Sequence, residues 1–347
     1  MQAKTDAFAD YTPSAFVVGT PFQVLCMYEA IQHFQISNYK IIIPFSRQEV
    51  RNHQTLAMLD YFNLKYELYD ENEYRAKKLL FSAKVLGNSE ENKYPRVFIG
   101  NYKLLLYRAI ALSLLKRDGN VVYLDDGNAS LNTLKGEEQK VSLACNILEK
   151  FASLLAWHKN IALKQNFFSI YSDVETRKNV CENKFKGLKA LMKDGSSNQD
   201  TAFFIGTNPE MFNWANGLTV SQYENFLTRA LNELKDKYGN LSMIYIPHGR
   251  DNSDFAKKLC NSLGIEYRRL NEAVELSLVK ENVLPKAVIG FTSSALFNIK
   301  KIIPEAKVLN YTVENESAPK YLEYSEISKY YMQNGIKLIK IPIKELN

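Results

Sequence analysis

The 347-residue sequence predicts an α/β protein of two domains, each a parallel sheet wrapped by helices. Three observations carry that prediction. Short apolar runs alternate with longer amphipathic segments, which is the grammar of strand–helix–strand units. The same grammar is stated once in each half. A charged stretch closing on Gly-Ser-Ser-Asn separates the halves.

In the first half the strands are Ala15–Gly19, Tyr39–Pro44, Arg96–Gly100 and Asn120–Leu124, each apolar enough to be covered on both faces. Between them, apolar spacing predicts helices over Phe22–Phe34, Thr55–Phe62 and Lys103–Lys116. In the second half the strands are Thr201–Gly206, Leu241–Pro247, Lys286–Phe291 and Lys307–Tyr311. The helices there are Val220–Tyr238, Asn252–Leu263 and Ser294–Ile302. The expected organisation is a first domain over 1–175, a linking helix and loop over 176–199, and a second domain over 200–347. Two similar halves suggest two Rossmann-like domains facing across a cleft. Ligands of such sheets bind beyond the carboxyl ends of the strands.

Composition narrows the class. The chain carries 44 Lys and Arg against 38 Asp and Glu, a net charge of +6, without a dense basic block. That balance suits an anionic substrate or a membrane surface as well as nucleic acid. The four cysteines, Cys26, Cys145, Cys181 and Cys260, form no C-x-x-C pair, which argues against a zinc or redox site and for reduced thiols in a cytoplasmic protein. The stretch MQAKTDAFADYT lacks the apolar region of a signal peptide, and no run of about 18 apolar residues predicts a membrane span.

The polar residues after each strand are the candidates for function. Thr20 and Pro21 read as a helix start, with Gln23 one turn in. Asp125-Asp126-Gly127 offers two carboxylates at a strand end. They suit either a general base or a solvated turn, and no third metal ligand lies nearby. Gly206 and Thr207 open a turn that leads to Glu210, a lone carboxylate. His248-Gly249-Arg250 combines a hydrogen-bond donor, a glycine that lets a ligand approach the backbone, and a bidentate cation; together they suit a phosphate. Thr292-Ser293-Ser294 enters a helix, which is either plain N-capping or an anion site built from hydroxyls and free N–H groups.

Six of these stretches, TPFQ, YLDDG, FKGLKALMKDG, IGTNPE, YIPHGR and FTSSAL, occur in the order found in a known family, and Lys320–Ile341 fits as well. On them the chain resembles the bacterial lipooligosaccharide sialyltransferases of glycosyltransferase family 52. The resemblance implies a GT-B fold and inverting transfer from CMP-N-acetylneuraminate or another CMP-nonulosonate. The acceptor would be a sugar hydroxyl of lipooligosaccharide, O-antigen or capsule. It implies no cofactor or metal and no nucleic-acid partner. It also suggests homodimerisation, while the missing N-terminal hydrophobic anchor of some members argues for peripheral attachment to the inner membrane.

The resemblance also implies roles. The loop IGTNPE puts the catalytic base on Glu210, whereas related sialyltransferase families put it on the motif matching Asp125 and Asp126. His248 and the run Thr292, Ser293 and Ser294 meet the donor phosphate, with the histidine expected as an imidazolium. Glu272, or its neighbour Glu275, holds the cytidine ribose. Thr20, Gln23, Gly127, Gly206, Thr207 and Arg250 complete the substrate site. The chain departs from the family in having Gly249 where proline is usual, Glu rather than Asp at 210, and no N-terminal hydrophobic anchor.

Overall fold

The computed structural model describes residues 6–45, 48–70, 92–101, 104–136, 166–192, 200–251 and 253–346. The chain divides into two units, Met1–Leu188 and Lys189–Asn347.

The first unit runs β1 (Ser14–Val17), α1 (Pro21–His33), β2 (Tyr39–Phe45), α2 (Glu49–Tyr61), β3 (Glu67–Asp70), β4 (Tyr94–Ile99), α3 (Leu105–Leu114), β5 (Leu115–Leu124), α4 (Asn128–Leu134), β6 (Asn166–Ser169), β7 (Asn179–Glu182) and α5 (Lys186–Ala190). Its strands form one parallel sheet in the order β3-β2-β1-β4-β5-β6-β7. Val17 is level with Ile42 and Ile99, Ile99 with Tyr123, and Leu124 with Phe168. This register brings the residues that follow β1, β4, β5 and β6 to a common edge.

The second unit runs β8 (Thr201–Ile205), α6 (Pro209–Asn216), α7 (Val220–Tyr238), β9 (Ser242–Ile246), α8 (Phe255–Leu263), β10 (Glu266–Tyr267), α9 (Val274–Lys280), β11 (Ala287–Gly290), α10 (Ser294–Ile302), β12 (Lys307–Glu314), α11 (Tyr321–Gln333) and β13 (Lys337–Pro342), closing on a 3-10 turn. Its sheet is also parallel, in the order β10-β9-β8-β11-β12-β13. Counted from its own first strand this is 3-2-1-4-5-6, the Rossmann order, and the first unit repeats it with one strand added. The order reverses between β1 and β4 and between β8 and β11, so the ligand-binding edge of each sheet is defined. Helix starts are conventional. Thr20 accepts from Gln23 N ahead of Pro21, Asn208 accepts from Met211 N ahead of Pro209, and Thr219 with Gln222 forms a capping box.

Of residues 176–199, expected to link the domains, those described, 176–192, contribute β7 and α5, and the first unit extends to Leu188, within α5. The charged composition suits an edge strand, where one side of each residue meets water. The motif FKGLKALMKDG has an architectural explanation here. The buried carboxylate of Glu29 on α1 accepts from Gly187 N at 3.0 Å and Leu188 N at 2.5 Å, which satisfies free amides at the start of α5.

Arg96 ties down the opposite end of the first sheet. It is fully buried on β4 and donates to Ser14 Oγ and to the carbonyls of Ala7, Ala9 and Thr12 at 2.8–3.3 Å, with its guanidinium over Phe34 and Phe98. Cys26 and Cys260 are buried and Cys181 is half-buried beside His33; Cys145 lies outside the described residues. Among the described residues, no helix is long and apolar enough to cross a membrane.

Candidate functional site

In the first unit the two aspartates that follow β5 have different environments. Successive residues of an extended chain point to opposite sides, and here one points inward and the other toward the ligand edge. Asp125 is fully buried. Ser169 Oγ donates to its Oδ1 at 2.6 Å and Ile170 N to its Oδ2 at 2.8 Å, pinning the end of β5 to the end of β6. Burial pushes its carboxyl up to about 7, against the pull of those hydrogen bonds. A group enclosed in this way holds the scaffold and does not reach a substrate.

Asp126 is half-buried at the ligand edge. Gln23 Nε2 donates to its Oδ1 at 2.8 Å and Asn101 Nδ2 to its Oδ2 at 2.9 Å, so both carboxylate oxygens are oriented by neutral amides, one in the first turn of α1 and one after β4. Its own N–H donates to Ser130 Oγ at 2.8 Å. Gln23 is fully buried, and its Oε1 accepts from Gly19 N at 2.9 Å. Gly100 leaves room for it, since a Cβ there would stand 2.4 Å from Gln23 Oε1. Gly127 has φ 62° and ψ −144°, a conformation essentially restricted to glycine, and it turns the chain straight into α4. Thr20 caps α1. Asn101 and Ser169 are site residues that sequence reasoning missed: each is a single neutral residue whose partner is distant in sequence.

In the second unit Gly206, Thr207, Pro247, His248 and the run from Thr292 to Ser294 follow β8, β9 and β11, whose ends are level: Ile205 pairs with Ile246 and Gly290. Gly206 is required by close approach, because a Cβ would lie 2.6 Å from Tyr245 Oη and 3.1 Å from Ile246 O. Glu210 sits exposed in the first turn of α6.

His248 is half-buried, and its Nδ1 accepts from Arg250 N at 3.1 Å. Burial, then Arg250, lowers its pKa to about 4, with Arg269 adding to the effect and Asp251 opposing it. The ring in this form is therefore neutral at neutral pH, with its hydrogen on Nε2, and is not the imidazolium expected from the resemblance. The reason is first the burial of the ring and then the positive charge of Arg250. A neutral ring still offers one N–H to an anion, and an anion placed there would raise its basicity. Arg250 itself is exposed.

Thr292 has φ +46°, rare for a β-branched residue, and its N–H donates to the buried Asn310 Oδ1 at 2.6 Å. Asn310 in turn donates to Ser328 Oγ on α11 at 3.3 Å, and Tyr331 Oη of that helix donates to Ser293 O at 3.1 Å. The strained entry to α10 is thus held from behind by α11, while Ser293 and Ser294, both half-buried, start α10 at the ligand edge. Glu272 is partly exposed and accepts from Lys280 Nζ at 3.1 Å. Glu275 is buried and accepts from Asn298 Nδ2 at 2.7 Å, which joins α9 to α10, and burial raises its pKa. Of the two ribose candidates, only Glu272 is accessible. Among the described residues, no cluster of three His, Cys, Asp or Glu side chains could hold a metal ion.

No family model and no curated protein matches the chain. Solved structures do. An α/β-galactoside α-2,3-sialyltransferase from Photobacterium phosphoreum is 16% identical, with TM-score 0.55 over 97% of this chain and 100% of that one. A 2,6-sialyltransferase from another Photobacterium, in ternary complex with donor product CMP and acceptor substrate lactose, is 14% identical, with TM-score 0.51 over 94% and 78%. A Listeria monocytogenes protein assigned as a UDP-N-acetylglucosamine 2-epimerase is 12% identical, with TM-score 0.53 over 96% and 85%. At these identities the likeness is one of fold: two α/β units with parallel sheets, the GT-B class.

Proposed function

We propose that the protein is an inverting glycosyltransferase of the sialyltransferase type, moving a nonulosonic acid from a CMP-activated donor to a sugar hydroxyl of a bacterial surface glycan. The observation that carries this reading is the anion-binding set on the second unit. His248 presents a neutral Nε2–H, Arg250 follows it after β9, and Ser293 and Ser294 start α10 after β11. That set suits a phosphate, and Glu272 suits the ribose of a nucleotide. The six motifs shared with family 52 and the fold shared with a sialyltransferase solved with CMP and lactose support the choice of cytidine.

In the proposed reaction the acceptor oxygen bonds to the anomeric carbon of the donor sugar as the bond from that carbon to the phosphate oxygen breaks. The configuration inverts. CMP leaves with the bonding electron pair, and its growing phosphate charge is met by His248 and the hydroxyl run. The hydroxyl proton passes to a carboxylate. The geometry supports Asp126 for that role over Asp125 and Glu210. Asp126 alone is both accessible and fixed at both oxygens, by Gln23 and Asn101. Asp125 is enclosed and Glu210 stands on an exposed helix turn.

The test is a CMP-release assay with galactose-terminated acceptors, run beside thermal shift with CMP, UDP and GDP. CMP should stabilise the protein and UDP should not. The reverse would move the protein to a UDP-sugar enzyme, the reading favoured by its fold likeness to the epimerase-type protein. Asp126→Asn should bind CMP normally and turn over about 10² to 10⁴ times more slowly. If Glu210→Gln shows that loss and Asp126→Asn does not, the base is Glu210.

A further inference from the structure

The His248–Gly249–Arg250 turn is held by a residue that no motif marks. From inside, Asp251 N donates to His248 O at 2.9 Å, and Arg250 N to His248 Nδ1 at 3.1 Å. From outside, Arg269 reaches across from the loop between β10 and α9. Its Nη2 donates to Asp251 O at 2.5 Å and its Nη1 to Gly249 O at 3.5 Å. The neighbouring Arg268 is committed elsewhere, to Glu266 and Glu281. Arg269 therefore spans two main-chain carbonyls of the turn while its own side chain remains exposed.

The turn is also anchored beneath. The Asp251 side chain is fully buried, and its Oδ1 accepts from Ser253 N and Oγ at 2.9 and 2.8 Å. Among the described residues its Oδ2 has no hydrogen-bond partner. The buried hydroxyls of Tyr223 and Tyr245 lie beside each other and interact electrostatically with it. Tyr245 Oη is the atom that excludes a side chain at Gly206. One buried polar cluster thus underlies both the turn after β9 and the turn after β8. A carboxylate left half-satisfied in such a place is costly, which argues that the turn is kept in one shape for a purpose other than stability.

We propose that Arg269 is a positioning residue of the donor-phosphate site: by bridging the carbonyls of Gly249 and Asp251 it holds the histidine turn in its ligand-ready shape, and it adds a fixed positive charge beside His248. The inference rests on the anion-binding reading of the second unit. A guanidinium fork reaches the two carbonyls from two separate nitrogens; an ammonium keeps the charge but loses the fork. The charged groups acting on His248 are Arg250, Asp251 and Arg269. Removing Arg269 therefore changes both the shape of the turn and the titration of the ring, and Arg269→Lys separates the two.

The experiment measures CMP affinity by calorimetry and the His248 titration by NMR on histidine-labelled wild type, Arg269→Lys and Arg269→Ala. The His248 resonance is assigned by comparison with His248→Gln. Arg269→Ala is expected to weaken CMP binding about 10- to 100-fold, the range of one lost charge-assisted contact, and to move the His248 titration measurably upward, though still below the ordinary imidazole range because burial and Arg250 continue to lower it. Arg269→Lys is expected to weaken CMP about tenfold while leaving the titration low. Variants that bind CMP within about twofold of wild type with an unmoved His248 titration overturn the proposal. Failure of the wild type to bind CMP instead overturns the nucleotide reading; the titration arm still decides the turn, since an unmoved ring in Arg269→Ala removes Arg269 from it.

Discussion

Asp125→Asn is the sharpest test of how the first unit is built. In the folded protein the Asp125 carboxyl sits at about 7, whereas the unfolded chain titrates near 3.8. Between those values folding takes up a proton, so the carboxyl stabilises the fold at the acid end of the window and loses that contribution as pH rises through about 7. From about pH 5 to about pH 8 the chain crosses roughly two pH units of that window, and at about 1.4 kcal/mol per unit the loss is on the order of 3 kcal/mol. The side chain is fully buried, so no solvent screening reduces it. Asparagine keeps the shape, can still accept from Ile170 N, and cannot ionise. The assay is urea denaturation of wild type and Asp125→Asn near both pH values, which cancels every other titrating group. The stability of the mutant relative to wild type should rise by about 2–3 kcal/mol between the acid and the alkaline measurement. A difference that stays constant within about 0.5 kcal/mol would refute the buried, proton-holding role.

Other outcomes follow from the same geometry. Gly206→Ala should destabilise by about 1–3 kcal/mol through collision with Tyr245 Oη, and adding Tyr245→Phe should recover part of the loss; additive effects in that denaturation cycle would refute the contact. Arg96→Met should cost on the order of 3 kcal/mol and open residues 7–13 to limited proteolysis, since three carbonyls and a hydroxyl lose their donor. His248→Ala should lower turnover about 10²-fold with an unchanged circular dichroism spectrum. Activity should survive EDTA, because the proposed phosphate site is made of protein donors; loss restored by Mg²⁺ would recast Asp126 as a ligand.

The central strands were legible because a parallel sheet covered on both faces leaves unbroken apolar runs. Ser14–Val17, Thr201–Ile205 and Ala287–Gly290 are buried along their whole length. The edges were not. β7 is the polar stretch NVCE, β10 has two residues, and β13, KLIKIP, mixes lysines with its apolar residues. Strand-end position singled out Asp126, His248 and Ser293 as candidates, but it could not separate Asp125 from Asp126, although opposite facing of neighbours along an extended chain was a usable signal. It missed Asn101 and Arg269 for different reasons. The first is an unremarked amide after a strand. The second is one of two adjacent arginines, and only tertiary contacts distinguish the one that grips Gly249 and Asp251 from the one that pairs with surface glutamates.

The buried Arg96 sets a schedule for synthesis. Its acceptors lie 82 to 89 residues earlier in the chain, and β1 finds its neighbour β4 over the same interval. At roughly 5–20 residues per second a ribosome takes about 4–18 s to supply that arginine after the acceptors have emerged. During that time the amino-terminal carbonyls have no internal donor, and one side of β1 is an open strand edge. Slower translation across residues 14–96 should therefore lengthen the interval in which this edge and these carbonyls are open to association with other chains.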